Sequence, residues 1–374
     1  MTSVPGFSAA DHAFMARALQ LAERGLNSTS PNPRVGCVIA RNGRVVGEGW
    51  HERAGEPHAE VHALAAAAAG DPEAARGADV YVTLEPCAHY GRTPPCADAL
   101  VAAGVARVVA AMQDPDPRVA GRGLERLAAA GIRTECGLLA DTARELNIGF
   151  VSRLTCGRPW LRAKLAASLD GRTALADGAS QWITGAAARA DGQHWRARAC
   201  AILSASGTVL HDDPQLSVRL GDAGQASQRQ PLKVIVDSRL RTPPGARLLA
   251  QGQTLIVGAG GDPARAAALS ARGAEVLDLP GSDGRVNLAA LLAELARRGV
   301  NEIHVEAGRV LIGSLLAAGL VDELLLYFAP CLLGDSAQGM FALPPLASLA
   351  QRQALKIHDW RIIGDDLRVI ARCA

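Results

Sequence analysis

The chain has little excess of charge of either sign. Its 374 residues carry 39 Lys and Arg against 37 Asp and Glu, a formal net charge of +2. There is no basic tail or basic block, so a large nucleic-acid footprint is not expected. No apolar run is long enough to span a bilayer. Residues 1–10 lack the basic segment and apolar core of a secretory signal, which makes a cytoplasmic location the expectation. Eight cysteines in a chain of this size do not suggest a disulfide framework. Cys37, Cys136, Cys156, Cys200, Cys331 and Cys373 sit in no motif and read as small apolar residues. No internal repeat is visible. No G-x-G-x-x-G follows a strand-like run, and Gly258-Ala259-Gly260-Gly261 fails that spacing, so a Rossmann domain is not expected.

What is there suits a globular protein of two domains. The chain is 49% apolar and long enough for two cores of ordinary size. Residues 9–24 have helical spacing of apolar side chains, at Phe14, Ala18, Leu21 and Ala22. Pro31-Asn32-Pro33 breaks the chain. Strand-like runs follow at 35–40 and 45–49, joined by Asn42-Gly43, a hairpin signal. Helices are expected at 58–69, 95–104 and 123–131, and strands at 80–84 and 105–112. The alternation predicts a layered α/β sheet. Residues 143–154 read as a connection. After Gly157-Arg158-Pro159 comes a second α/β domain, with strands expected at 161–166, 201–203, 233–237, 254–257, 302–306 and 323–328. Its helices are expected at 185–198, 263–272, 288–298 and 310–318. Residues 221–230 read as a polar, mobile loop. The expected domains are 1–150 and 158–374.

The strongest chemical signal is His58-Ala59-Glu60, followed by Pro86-Cys87 and then Cys96. One imidazole and two thiolates suit zinc with a fourth position open for water, and zinc lowers that water's pKa toward neutrality. Glu60 is near enough to act on such a water without being a ligand. Nucleobase deaminases carry this arrangement as H-x-E with P-C-x-x-C. Here eight residues, Ala88 to Pro95, separate the cysteines instead of two. The chemistry is then attack on a ring carbon bearing an exocyclic amine, with Glu60 moving the proton from water to the leaving nitrogen. The other reading is a structural zinc site or unrelated core residues. His62, one helical turn after His58, reads as structural.

The run Thr83-Leu84-Glu85-Pro86-Cys87-Ala88-His89-Tyr90-Gly91-Arg92-Thr93-Pro94-Pro95-Cys96 resembles the bifunctional riboflavin-biosynthesis deaminase/reductase family. Pro31-Asn32-Pro33 and Gly55-Glu56-Pro57-His58-Ala59-Glu60-Val61 match it too. The resemblance implies a cytidine-deaminase-like α/β/α layered domain. It places Asn32 on the pyrimidine, and His51 and Arg92 near the substrate's ribityl and phosphate side. Asp114-Pro115-Asp116-Pro117 departs from the family's Asp-Pro-Asn-Pro, which puts that contact in doubt.

The resemblance continues through Lys164-Leu165-Ala166-Ala167-Ser168-Leu169-Asp170-Gly171-Arg172, Ser180-Gln181-Trp182-Ile183-Thr184, Thr208-Val209-Leu210-His211-Asp212-Asp213-Pro214, Val236-Asp237-Ser238 and Val305-Glu306-Ala307-Gly308. It implies a dihydrofolate-reductase-like α/β domain that uses NADPH to reduce a ribosyl ring to ribityl. Implied cofactor positions are Ala166, Ser180, Trp182, Thr208, Asp212, Ser238, and the run Gly308, Arg309, Val310, Leu311, Ile312, Gly313, Ser314. The run follows a strand and leads into a helix whose N-terminus suits phosphate. Implied substrate positions are Arg196, Leu216, Arg219 and Glu306. Lys164 and Asp212 are candidates for polarising or protonating the sugar.

The expected activity is deamination of a phosphorylated diaminopyrimidine followed by NADPH reduction. The expected partners are Zn2+, NADPH, that small substrate and further copies of the chain, without nucleic acid or membrane. The alternatives are a nucleoside or tRNA-adenosine deaminase with an appended domain, and a non-catalytic zinc-stabilised binding module.

Overall fold

The computed structural model describes residues 6–88, 94–117, 119–220 and 229–373. The chain divides into two compact units, Met1–Gly157 and Arg158–Ala374.

The first unit contains α1 (Ala9–Glu23), β1 (Gly36–Arg41), β2 (Arg44–Trp50), α2 (Ala59–Gly70), β3 (Asp79–Val82), α3 (Cys96–Ala102), β4 (Arg107–Ala110), α4 (Arg122–Ala129), β5 (Arg133–Cys136), α5 (Ala140–Leu146) and α6 (Ile148–Cys156). Its sheet runs β2-β1-β3-β4-β5. β1 pairs antiparallel with β2 and β3, and β3, β4 and β5 are parallel. The β1–β2 turn places Asn42 at φ 54° and Gly43 at φ 72°, a conformation these two residues adopt readily. Alternation along β1 sends Cys37 and Ile39 to one face and Val38 and Ala40 to the other. The first face is covered by alanines of α2 and by Leu100 and Leu127. The second is covered by Met15, Ala18 and Leu21 of α1. Three layers result.

Glycine lets α2 sit directly on the sheet. A Cβ at Gly47 would meet the Ala63 carbonyl at 2.2 Å, and one at Gly49 the Ala59 carbonyl at 2.5 Å. The start of α2, where His58 and Glu60 lie, is thereby held against β2. A capping box between Ser8 and Asp11 starts α1. The Asp11 carboxylate then accepts from Tyr81 Oη and Arg107 Nη1, both at 2.7 Å.

Two features depart from the sequence expectation. Residues 143–154 are helical, and Ala143, Phe150 and Val151 are part of the core under α1. The apolar face that stops this stretch from being a solvated linker is spread over two short helices. β5 has only partly buried or exposed residues, Arg-Thr-Glu-Cys, and so carries no strand-like apolar signal.

The second unit contains β6 (Trp160–Ser168), β7 (Arg172–Ala174), α7 (Ala186–Arg198), β8 (Ala201–Ala205), α8 (Ser206–Asp212), β9 (Leu232–Val236), β10 (Thr254–Gly258), α9 (Pro263–Ser270), β11 (Glu275–Asp278), α10 (Leu288–Arg297), β12 (Glu302–Val305), α11 (Arg309–Ala317), β13 (Glu323–Ala329), β14 (Gln338–Gly339), β15 (Leu355–Ile363) and β16 (Asp366–Cys373). The large sheet runs β11-β10-β9-β8-β12-β6-β13-β16-β15, and β7 pairs with β14 apart from it. The strands from β11 through β13 are parallel, while β16 and β15 are antiparallel additions at one edge. Helices over a parallel sheet explain why these strands read as continuous apolar runs. β15 is mostly exposed, and a register shift between Ile357 and Asp359 interrupts the alternation of its apolar residues Leu355, Ile357, Trp360 and Ile362.

Strand order reverses at β12, which lies between β8 and β6 although it follows both in the chain. A crevice forms where connections diverge, at the carboxyl ends of the strands. Ala166 on β6, Ala205 on β8, Val236 on β9 and Glu306 just past β12 all reach it. Among the described residues, no helix is long and apolar enough to cross a membrane.

Candidate active sites

In the first unit, His58 caps α2, Glu60 lies in its first turn, Cys96 opens α3, and Cys87 lies between β3 and α3. The His58 Nδ1 atom is 3.7 Å from Cys87 Sγ and 3.3 Å from Cys96 Sγ. All three ligand atoms lie within 4.8 Å of one another. Zn–N near 2.0 Å and Zn–S near 2.3 Å in a tetrahedron require N···S edges of about 3.5 Å. The donor set and its spacing therefore fit one zinc ion with a position to spare. The backbone N–H of Cys96 donates to Cys87 Sγ at 3.3 Å. The neighbouring Cys96 thiol pulls Cys87 down to about 4, and the same contact with burial pushes Cys96 up.

Glu60 is 3% exposed, and burial with the Cys87 charge pushes its carboxyl up to about 7. Cys87 is held from behind by its neighbour Glu85. The Glu85 carboxylate accepts backbone N–H bonds from Asp114, Gly121 and Gly123 at 3.2, 2.9 and 2.8 Å. This ties the Pro86-Cys87 turn to the start of α4. Sequence reading did not single out Glu85, whose position directly before Pro86 was the available signal.

Asn32 and His51 come together beside the ligands. Asn32 Nδ2 is 3.0 Å from His51 Nε2, and His51 Nδ1 is 3.1 Å from the Pro57 carbonyl. A carbonyl only accepts, so the proton is on Nδ1 and Nε2 accepts from Asn32. Burial lowers the His51 pKa, which keeps the ring neutral. Its ring packs edge-on to His58 at 5.3 Å. The Asn32 side-chain carbonyl is left to recognise something else. Arg92 lies outside the described residues. Asp116 is buried, and its carbonyl accepts from Val119 and Ala120 within its own loop.

The second unit has a cavity of about 1480 Å³ at the strand ends. A pocket for one small molecule is typically about 300–1,000 Å³, so this one has room for two. Ala166, Ser180, Trp182, Thr208, Asp212, Ser238, Gly308, Arg309, Val310, Leu311 and Ser314 all line it, as do Arg196, Leu216, Arg219 and Glu306. Ile312 and Gly313 do not. Ile312 is fully buried in the core, and a Cβ at Gly313 would meet the Ala342 carbonyl at 2.3 Å. Their place on the inner face of α11 makes them packing residues.

Arg196 is committed within the protein. Its Nε and Nη2 bond the two Glu306 oxygens, Nη2 to Oε2 at 2.6 Å, and Nη1 donates to the Ser217 carbonyl at 3.1 Å. Burial alone would raise the Glu306 carboxyl, but Arg196 outweighs it and holds it well below the usual range. Lys164, half-buried in the cavity lining, has its pKa lowered by desolvation against the pull of Glu306. Arg219 is exposed and has one side-chain partner among the described residues, Gln215 Oε1 at 3.3 Å. Of the two arginines, Arg219 is the one free to meet an anion. Leu216 is buried with φ 50°, a left-handed backbone that a branched residue rarely adopts, at the cavity wall. Asp212 accepts from His211 Nδ1 at 2.9 Å. Gly308 caps α11 without a side-chain bond, leaving first-turn N–H groups facing the cavity. The cavity also contains Arg239, Arg241 and Arg285, which sequence reading passed over. Arg239 follows Ser238 directly and Arg241 two residues later, and that proximity was the signal.

Comparison with known proteins meets this geometry on both halves. The cytidine and deoxycytidylate deaminase zinc-binding region matches residues 8–112, and the RibD C-terminal domain matches residues 159–369. The riboflavin biosynthesis protein RibD of Escherichia coli (strain K12) is 50% identical over 369 residues, covering 96% of this chain and 98% of that protein. RibD of Bacillus amyloliquefaciens is 41% identical over 362 residues, covering 96% and 95%. The structure of Acinetobacter baumannii RibD superposes with a TM-score of 0.89 at 43% identity, covering 98% of this chain and 99% of that one. A Thermotoga maritima diaminohydroxyphosphoribosylaminopyrimidine deaminase/5-amino-6-(5-phosphoribosylamino)uracil reductase gives 0.85 at 29% identity, covering 98% and 99%. The fold expected of each half is the one found, a cytidine-deaminase-like layered domain and a dihydrofolate-reductase-like α/β domain. With a deaminase-type zinc-binding region before a reductase domain, and relatives of this identity along nearly its whole length, the chain belongs to the RibD family of bifunctional riboflavin-biosynthesis enzymes.

Proposed function

We propose that the chain deaminates 2,5-diamino-6-ribosylamino-4(3H)-pyrimidinone 5′-phosphate at His58, Cys87, Cys96 and Glu60, and then reduces the product's ribosyl group to ribityl with NADPH. The observation that carries this reading is the convergence of one imidazole and two thiols beside a buried, non-ligating carboxyl. A structural zinc site would fill its fourth position with protein instead.

Zinc bound by those three side chains supplies the Lewis acidity that makes water a nucleophile near neutral pH. Glu60 would be the proton carrier of the reaction, holding on a carboxylate oxygen a proton taken from the attacking water and giving it to the exocyclic nitrogen, so that the nitrogen leaves as ammonia. Asn32, fixed by His51, orients the pyrimidine edge. His51 and Glu60 are almost fully buried, which shields the proton carrier from bulk water.

NADPH supplies the hydride in the second unit. The α11 N-terminus offers N–H groups to its pyrophosphate, the arrangement in which a helix dipole and unpaired donors meet an anion. Arg219 reads the substrate's 5′-phosphate. Glu306, kept ionised by Arg196, accepts from the sugar hydroxyls, and Lys164 donates toward the sugar from the cavity lining.

The test is incubation of the purified chain with the diaminopyrimidine, with and without NADPH, following ammonia and absorbance at 340 nm separately. Ammonia release without NADPH, and NADPH oxidation only after it, are expected. No ammonia from zinc-loaded protein would remove the reading.

A further inference from the structure

We infer that His304 is a positioning residue for the reductase step: from the buried side its Nε2–H holds Oε1 of Glu306, which leaves Oε2 to meet the substrate's sugar. The inference rests on the reading that Glu306 accepts from the sugar hydroxyls.

Three observations carry it. First, His304 reaches this carboxylate and the other acid of its strand is taken. It lies on β12 two residues before Glu306, a spacing that puts both side chains on one face of the sheet. Its Nε2 is 3.3 Å from Glu306 Oε1. Glu302, two residues earlier, accepts from Arg198 Nε at 2.7 Å and Arg162 Nη1 at 3.3 Å. Second, the ring is 0% exposed, and neither nitrogen has a well-aligned partner among the described residues. Burying an imidazole without a hydrogen bond costs stability, and an apolar side chain would avoid that cost. Hydrogen bonds at reaction sites are often long before substrate binds and tighten in the complex, so the 3.3 Å approach to Glu306 is the bond that can form. Third, the acceptor sites divide unequally. Arg196 Nε bonds Oε1, and Arg196 Nη2 bonds Oε2 at 2.6 Å. Each carboxylate oxygen has about two acceptor sites. His304 takes the second on Oε1, and the remaining one is on Oε2. An ionised carboxylate only accepts, so the ring must carry its proton on Nε2. Burial, the largest influence, lowers the ring's pKa; Glu306 opposes it, and Arg196 on α7 and Arg162 on β6 lower it further, so the ring is neutral. On the β8 side its strand partner is Ile202, which carries no charge. Lys164 on β6 acts on Glu306 itself.

The test uses the full chain as wild type, His304→Phe, His304→Gln, His304→Asn and Glu306→Gln. Glutamine can place an amide donor near the position of Nε2, whereas the shorter asparagine places it near Nδ1 and does not reach Glu306. Reductase kcat/KM is measured against pH, with ammonia release and NADP+ binding by calorimetry as checks that both units are folded. His304→Phe and His304→Asn should lose about tenfold or more, the worth of a bond to a charged group, while His304→Gln stays within about threefold of wild type. The acid limb of His304→Phe should lie at higher pH, because a donor to the charged form depresses a carboxyl pKa and its removal raises it. Nitrogen NMR of histidine-labelled wild type should show His304, assigned by its loss from His304→Phe, as a neutral ring with the proton on Nε2. A proton on Nδ1 overturns the inference. So does wild-type kcat/KM in His304→Phe, or equal losses in the Gln, Asn and Phe proteins, which would make the ring a packing residue. If His304→Phe fails to bind NADP+, the comparison of Gln with Asn and the wild-type tautomer decide. Normal reduction by Glu306→Gln removes the reading of Glu306 and this inference with it. A loss in Glu306→Gln without one in His304→Phe or His304→Asn sinks the inference alone.

Discussion

Arg196 and Glu306 face each other across the strand-order reversal, joined by two parallel hydrogen bonds. They arrive from different elements, Arg196 from the last turn of α7 and Glu306 from the end of β12. The Glu306 backbone is fixed as well, since Ser204 Oγ donates to its carbonyl at 2.6 Å. His304 Nε2 approaches the same carboxylate at 3.3 Å from the buried side. The pair presents one ionised oxygen surface to the cavity without leaving a bare charge in the interior.

That pairing predicts a pH effect. Glu306 ordinarily titrates near 4.5, and its folded value is depressed, so the ion pair's contribution to stability is complete above about pH 4.5. It is lost only as pH falls through the depressed value. Arg196→Leu leaves burial as the dominant influence, which raises the carboxyl instead. The variant should lose about 3 kcal/mol of stability at neutral pH, and its reductase profile should gain an acid limb at higher pH than wild type. Denaturant titration and kcat against pH check both. An acid limb at the wild-type position would show that Arg196 does not set the ionisation of Glu306.

Glu60→Gln should retain zinc and lose deamination by at least about a hundredfold, the usual worth of general acid–base catalysis. Cys87→Ser and Cys96→Ser should lose the metal. Metal content and ammonia release, measured on the same preparations, separate ligand from proton carrier. Near-normal deamination by Glu60→Gln rules out its proton role.

Arg219→Ala should weaken reductase kcat/KM by about ten- to a hundredfold, since a bond to a charged group contributes roughly 1.5–3 kcal/mol. The loss should nearly vanish with a substrate lacking its 5′-phosphate. Equal losses on both substrates would mean that the arginine reads another group.

A fragment of residues 1–157 should fold, bind zinc and deaminate without NADPH, because it is a compact unit with its own core. A fragment ending at residue 150 keeps Phe150 but loses Val151 and most of α6, and should be less stable by about 2 kcal/mol, a typical cost of truncating core contacts. Thermal unfolding and ammonia assays on both fragments decide this. Equal melting temperatures would show that α6 does not support the core.

Deaminase chemistry was legible because its residues are close in sequence and chemically uncommon together. His58 and Glu60 share one helix start, and Cys87 and Cys96 flank a short insert. The strands β8, β9, β10, β12 and β13 were legible because burial on both faces makes them unbroken apolar runs. β15 was not, since a register shift between Ile357 and Asp359 breaks the alternation of Leu355 and Ile357 with Trp360 and Ile362, side chains that stay exposed at the sheet edge. α6 was not, since its burial depends on the sheet beneath it. Which arginine is free to bind phosphate was equally invisible. Arg196 and Arg219 are the same residue type at equally matched positions, and only the fold brings Glu306 onto one of them. The order of strands placed Ser238, Arg239 and Glu306 around one cavity from points far apart in the chain. Sequence alone determined the metal-binding chemistry, because donor type and local spacing are covalent facts. Tertiary structure decided which charges are spent on each other and which face a ligand, because that depends on long-range packing, which local pattern does not encode.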